Sequence, residues 1–125
     1  MGRYEPKLAP RDPCPVEHVL ELVGGKWKPR ILAKLKEGDA PMGELGRLLP
    51  RARPQVLAAQ LRELESDGIV GRLAPAAGET WGRFRLTERG RGLCEVLDVV
   101  AAWGGADLSV AGARSESLLR SSGLG

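Results

Sequence analysis

The sequence predicts a mainly α fold with one small antiparallel β-hairpin. Three observations predict it. Apolar residues recur at helical spacing in successive segments as far as Gly68. After Gly68 the period falls to two, over residues 69–73 and again over 82–86. A last helical stripe follows: Leu93, Val96, Leu97, Val100 and Trp103.

Residues 1–13 carry Pro6, Pro10, Pro13 and mixed charge, and read as an extended arm. Asp12 or Cys14 starts a first helix with Pro15 at its first position. Val16, Val19, Leu20 and Val23 form its stripe, and Gly24-Gly25 ends it. A second helix spans about 27–36, with Ile31, Leu32 and Leu35 apolar and Pro29 tolerated in its first turn. After the turn Glu37-Gly38-Asp39, a short third helix carries Met42, Leu45, Leu48 and Leu49, and Pro50 breaks it. The fourth runs from Arg53 to its stop at Gly68, with Pro54 in its first turn and Leu57, Leu61 and Leu64 on one stripe. Gln55, Ala59, Arg62 and Ser66 face away from that stripe, with Val56 and Glu63 beside them.

In the hairpin, Arg83 and Arg85 share one side of the second strand. Its loop, residues 74–81, holds Pro75 and Gly78 and is too long for a tight turn. Thr87 caps the last helix, which should stop at Gly104-Gly105. From residue 107 to 125 Ser, Gly and Arg dominate, the composition of a flexible tail. One domain is therefore expected over residues 14–106.

Composition narrows the function. The 125 residues suit a single domain, and the net charge of +3 biases it mildly toward polyanions. Cys14 and Cys94 are too few for a disulfide scaffold, which suits reduced thiols in a cytoplasm. The opening Met-Gly-Arg-Tyr-Glu-Pro-Lys has no apolar core and reads as no signal peptide, and no apolar run approaches a membrane span. His18 lies four residues after Cys14, but the chain has no second histidine to complete a metal site. There is no paired-carboxylate motif and no Gly-rich phosphate loop. A Cys14–His18 nucleophile and base would lack a third orienting group. We expect no metal, no cofactor and no enzyme.

A short third helix, a turn, a longer fourth helix and a basic hairpin follow the winged helix-turn-helix plan. The fourth helix would lie in the major groove of double-stranded DNA. Gln55 and Arg62 are its candidate base readers, Gln60 a third beside the leucine stripe, and Val56 and Ala59 offer apolar contact. Arg51 and Arg53, at a helix entrance where the dipole does not favour cations, would hold phosphates. Arg83, Arg85 and nearby Arg72 would reach phosphate or the minor groove from the wing.

Several blocks, in order from residue 14 to residue 104, resemble the HxlR-type transcriptional regulators, prokaryotic winged-helix relatives of the MarR group. They are Cys14-Pro-Val-Glu, Gly24-Gly-Lys-Trp27, Glu44-Leu45, Gln60-Leu-Arg-Glu-Leu-Glu65, Asp67-Gly-Ile-Val70, Leu86-Thr87 with Gly90, and Leu97-Asp98 through Trp103-Gly104. The resemblance implies a homodimeric, cytoplasmic DNA-binding regulator joined through its first and last helices. Val16, Val19, Val96, Val100 and Trp103 would then form the dimer interface, as the apolar stripe of the last helix independently suggests. A two-fold dimer with one recognition helix per subunit would read a pseudo-palindromic operator, and we expect a repressor open to a small-molecule or electrophile effector. Cys14, before a helix N-terminus that favours a thiolate, is the candidate redox sensor. Its plain alternative is a small apolar residue at the dimer seam.

The chain departs from that pattern at Arg53, where Ser or Thr is usual, at Ala58 and Ala59, where polar residues are common, and in the wing loop. The loss of polar residues on the fourth helix favours an alternative, a winged-helix module that binds protein and not DNA, and the altered wing implies different docking. Cys94 and Trp27 read as packing residues. Trp81, in the wing loop, either packs on the domain or touches a ligand or DNA.

Overall fold

The computed structural model describes residues 14–78 and 82–121, with side chains described as far as residue 112. The expected N-terminal arm, the end of the tail and Trp81 lie outside the described residues. The remainder falls into two compact units, one up to Gly92 and one from Leu93 onward.

The first unit contains α1 (Pro15–Val23), α2 (Lys28–Glu37), β1 (Ala40–Pro41), α3 (Met42–Leu48), α4 (Pro54–Ser66), β2 (Val70–Leu73) and β3 (Arg83–Leu86). It also holds the start of α5 (Glu88–Ser121). Cys14 occupies the N-cap position of α1 without a side-chain cap bond, and Pro15 follows in the first turn, where a missing N–H costs nothing. The α1 helix ends as Gly24 turns to extended backbone. Gly25 then takes a φ of +108°, a conformation that favours glycine.

α4 ends in a Schellman motif. Gly68, at φ +74°, donates its N–H to the Glu65 carbonyl, and Ile69 donates to the Leu64 carbonyl, each at 3.0 Å. Leu64 and Ile69, which this closure brings together, are both fully buried. The chain thus leaves the helix straight into the sheet.

The sheet is antiparallel, in the order β1-β3-β2. Val70 lies opposite Leu86, Gly71 opposite Arg85, Arg72 opposite Phe84 and Leu73 opposite Arg83. β1 is an addition to the expected hairpin: Ala40 pairs with Phe84 and Pro41 with Arg83. Two residues are too few to show an alternating pattern, so after the turn at 37–39 the sequence assigns no element to Ala40-Pro41. The core lies between α2, α3, α4 and the sheet, on Ile31, Leu32, Leu35, Leu45, Leu57, Leu61, Leu64, Phe84 and Leu86.

Thr87 joins the sheet to α5. Its backbone N–H donates to the Ile69 carbonyl at 3.1 Å. Its hydroxyl accepts from the Gly90 N–H at 3.0 Å, the expected N-cap, and lies 2.6 Å from the Gly68 carbonyl as a donor. Gly90 is required here, because a Cβ would collide with the Ile69 carbonyl oxygen.

α5 corrects the expected stop at Gly104-Gly105, since the helix continues to Ser121 and takes in much of the segment expected as a tail. Glycine halts a helix by adopting positive φ, and neither of these does so. With Ala101, Ala102 and Ala106 around them, they are carried as weak interior positions, each less favourable than alanine by ~1 kcal/mol. In the second unit Leu93 and Cys94 are buried, while Val96, Val99, Val100 and Trp103 are exposed.

Candidate nucleic-acid interface

The turn between α3 and α4 builds the entrance to the site. Ala52 is buried and donates its N–H to the Leu49 carbonyl at 3.0 Å, which leaves Arg51 and Arg53 exposed on either side of it. Arg53 occupies the N-cap position of α4 and makes no side-chain cap bond. The helix therefore opens with its first N–H groups uncapped by a side chain and two guanidinium groups alongside. That is a setting for an external anion.

Along α4, Gln55, Val56, Arg62 and Ser66 are exposed, and Ala58 and Ala59 are half-buried. Gln60 does not join them. It turns inward, its amide Nε2 donating to Glu63 Oε2 across 3.5 Å. Its Oε1 is buried without a hydrogen-bond partner among the described residues. Glu63 is ion-paired at 2.7 Å with Lys28 of α2, whose side chain is only 4% exposed. The sequence reading missed Lys28. Its signal was available: Lys28 stands at i to the i+3, i+4 and i+7 of Ile31, Leu32 and Leu35, on the buried stripe of its helix.

The wing divides its arginines between two faces. Arg85 is exposed and Arg83 half-buried, and the two alternate with the buried Phe84 and Leu86. Arg72 pairs across the ladder with Phe84, so it stands on the other face. There its guanidinium lies 4.9 Å from the Phe84 ring centroid and 2.8 Å from Glu65 Oε1. The structure thus brings Arg83 and Arg85 together on one face and ties Arg72 to α4. Gly82, at the base of β3, admits no side chain, because a Cβ would collide with the Leu73 carbonyl oxygen. Glu63 and Glu65 hence anchor the second half of α4 in two directions, to α2 and to the wing.

On α1, Val16 and Leu20 are exposed and Val19 is half-buried. Cys14 is an exposed thiol and Cys94 is buried, and neither is in a disulfide. His18, one turn after Cys14, is also exposed, and its N–H donates to the Cys14 carbonyl. Among the described residues no group of three His, Cys, Asp or Glu side chains is placed to hold a metal ion. None of their helices is long and apolar enough to cross a membrane.

A short helix, a tight turn, a second helix with an exposed amide-and-guanidinium face, and an arginine-bearing hairpin define the winged helix-turn-helix class of DNA-binding proteins. Comparison with known proteins narrows the class. The model of the HxlR-like helix-turn-helix family matches residues 22–111. The uncharacterised HTH-type transcriptional regulator YtcD of Bacillus subtilis (strain 168) is 43% identical over 89 residues, 71% of each chain. The solved structure of the redox regulator HypR in its reduced form has a TM-score of 0.74 and 34% identity, over 80% of this chain and 99% of that one. Diamide-treated YodB from B. subtilis has a TM-score of 0.64 and 31% identity, over 74% of this chain and 93% of its own. The chain belongs to the HxlR-like helix-turn-helix family and is a transcriptional regulator of that family, MarR-like in fold.

Proposed function

We propose that this regulator is a homodimeric repressor that reads a pseudo-palindromic operator with α4. The observation that carries the reading is the exposed face of α4: Gln55 and Arg62 stand free of ion pairs and hydrogen bonds among the described residues, behind the exposed Arg51 and Arg53. Gln55 pairs with adenine and Arg62 with guanine, Val56 and Ala59 meet thymine methyls, and Arg51, Arg53, Arg83 and Arg85 hold phosphates. Gln60 and Arg72 support the helix and the wing and do not touch bases. Dimerisation uses α1 and α5, whose exposed Val16, Leu20, Val96, Val100 and Trp103 need cover. The protein works in the cytoplasm, by binding and not by catalysis.

Cys14 makes the repressor responsive to oxidants or electrophiles. Its support is an exposed thiol at the start of α1, together with likeness to regulators solved in reduced and diamide-treated forms. Diamide should change DNA affinity reversibly in wild type and leave Cys14→Ser unaffected.

Binding-site selection tests the core of the reading. Wild type should return a two-fold motif with half-site centres ~10 bp or a multiple apart. Gln55→Ala and Arg62→Ala should each lose preference at one position per half-site, by roughly 1–3 kcal/mol. If both variants returned the wild-type motif, α4 would not be the reader.

A further inference from the structure

Lys28 is an unusual residue to bury. It is the first residue of α2, where the helix dipole repels a cation, and its side chain is almost fully removed from water. Glu63 is the carboxylate that offsets both effects. A buried ion pair of this kind adds little net stability over an apolar pair of the same shape, but it penalises any displacement that separates the charges. It therefore fixes position more than it strengthens the fold. The pair does not end at two residues. The Gln60 amide reaches the same Glu63 oxygen, and its Oε1 faces the turn between α1 and α2, where a Cβ on Gly25 would stand 3.4 Å from it.

We propose that Lys28, Glu63 and Gln60 form the link that seats the recognition helix on α2 and on the Gly24-Gly25 turn. Base selectivity then depends on residues that touch no DNA. Lys28 and Glu63 are positioning residues. Phosphate contacts, made by long side chains at the helix entrance and on the wing, tolerate a loosened helix. Paired contacts to base edges do not, because they demand fixed distance and angle. The inference rests on the reading of α4 as the DNA-reading helix.

The test uses the full chain and two probes at one salt concentration: a genomic fragment retained by wild type, and a random duplex of equal length. The readout is selectivity, the dissociation constant for the random duplex divided by that for the genomic fragment. Lys28→Met and Glu63→Gln should each lower that ratio about tenfold. The double variant should fall no further than either single one, and Lys28→Arg should recover most of the loss. Affinity for the random duplex should stay within about twofold of wild type. Should Lys28→Met fail to fold, Gln60→Leu removes the amide without stranding a charge, and a fall of about threefold is expected. Equal losses on both probes, additive losses in the double variant, or an unchanged ratio would overturn the inference. Gln55→Ala separates the two levels. A fall there without one in Lys28→Met overturns this inference alone, whereas no fall in either Gln55→Ala or Arg62→Ala overturns the reading of α4 itself.

Discussion

Two helices of this chain carry apolar triplets at one spacing and treat them in opposite ways. In α4, Leu57, Leu61 and Leu64 stand at i, i+4 and i+7 and are at most 1% exposed. In α5, Val96, Val100 and Trp103 have the same spacing and are 47%, 58% and 71% exposed. Helical periodicity announces that a face needs cover. It does not say whether the cover comes from the same chain. In α4 it comes from α2, α3 and β2 of the same unit. In α5 the described residues leave it open, and our reading assigns it to a second copy.

Removing cover from inside should have the largest effect. Leu61→Ala, in a filled core, should cost ~3 kcal/mol whatever the protein concentration, read from denaturant midpoints. A cost below ~1 kcal/mol would mean that the α4 packing collapses around the gap. Removing cover from outside should act on assembly. Trp103→Glu should sediment as a monomer at micromolar concentration, and its melting should lose the concentration dependence of wild type. A wild type that already sediments as a monomer would end the contrast between the helices.

Smaller effects test the point where α5 begins and the length to which it runs. Thr87→Ala removes the cap bond to Gly90 and the donor facing Gly68, and should cost about 1 kcal/mol. No measurable change would mean that solvent replaces the hydroxyl fully. Gly105→Ala should stabilise by up to ~1 kcal/mol and raise helical ellipticity, since its Cβ meets nothing within 4 Å. Lost ellipticity would show that the glycine pair is a break after all.

The contrast also explains how much the sequence revealed. The helices of the first unit, the hairpin and the Thr87 cap are legible because each rests on local chemistry: a stripe, a Pro at a start, a Gly at a stop. The outward face of α4 follows from its stripe. β1 was not legible, because it exists only through pairing with a strand more than forty positions away. The extent of α5 was misread because Gly104-Gly105 has the composition of a stop without the backbone angles of one. Arg72 looks like a surface group in sequence, and Gln60 lies beside the leucine stripe there; only register and packing show what each holds. Lys28 is the reverse case, a charge written into an apolar stripe.

The missed strand carries a further consequence. A free sheet margin offers unpaired amides to any extended peptide and so invites fibrous association. Here β3 is flanked on both sides. One outer margin is only two residues long, and one of those, Pro41, has no amide hydrogen to donate. The other is four residues long and carries Gly71 and the charged Arg72. Neither is a good template for a neighbouring chain. Two molecules meeting at the concentrations of a crowded cell are steered away from strand exchange by the sheet's own margins.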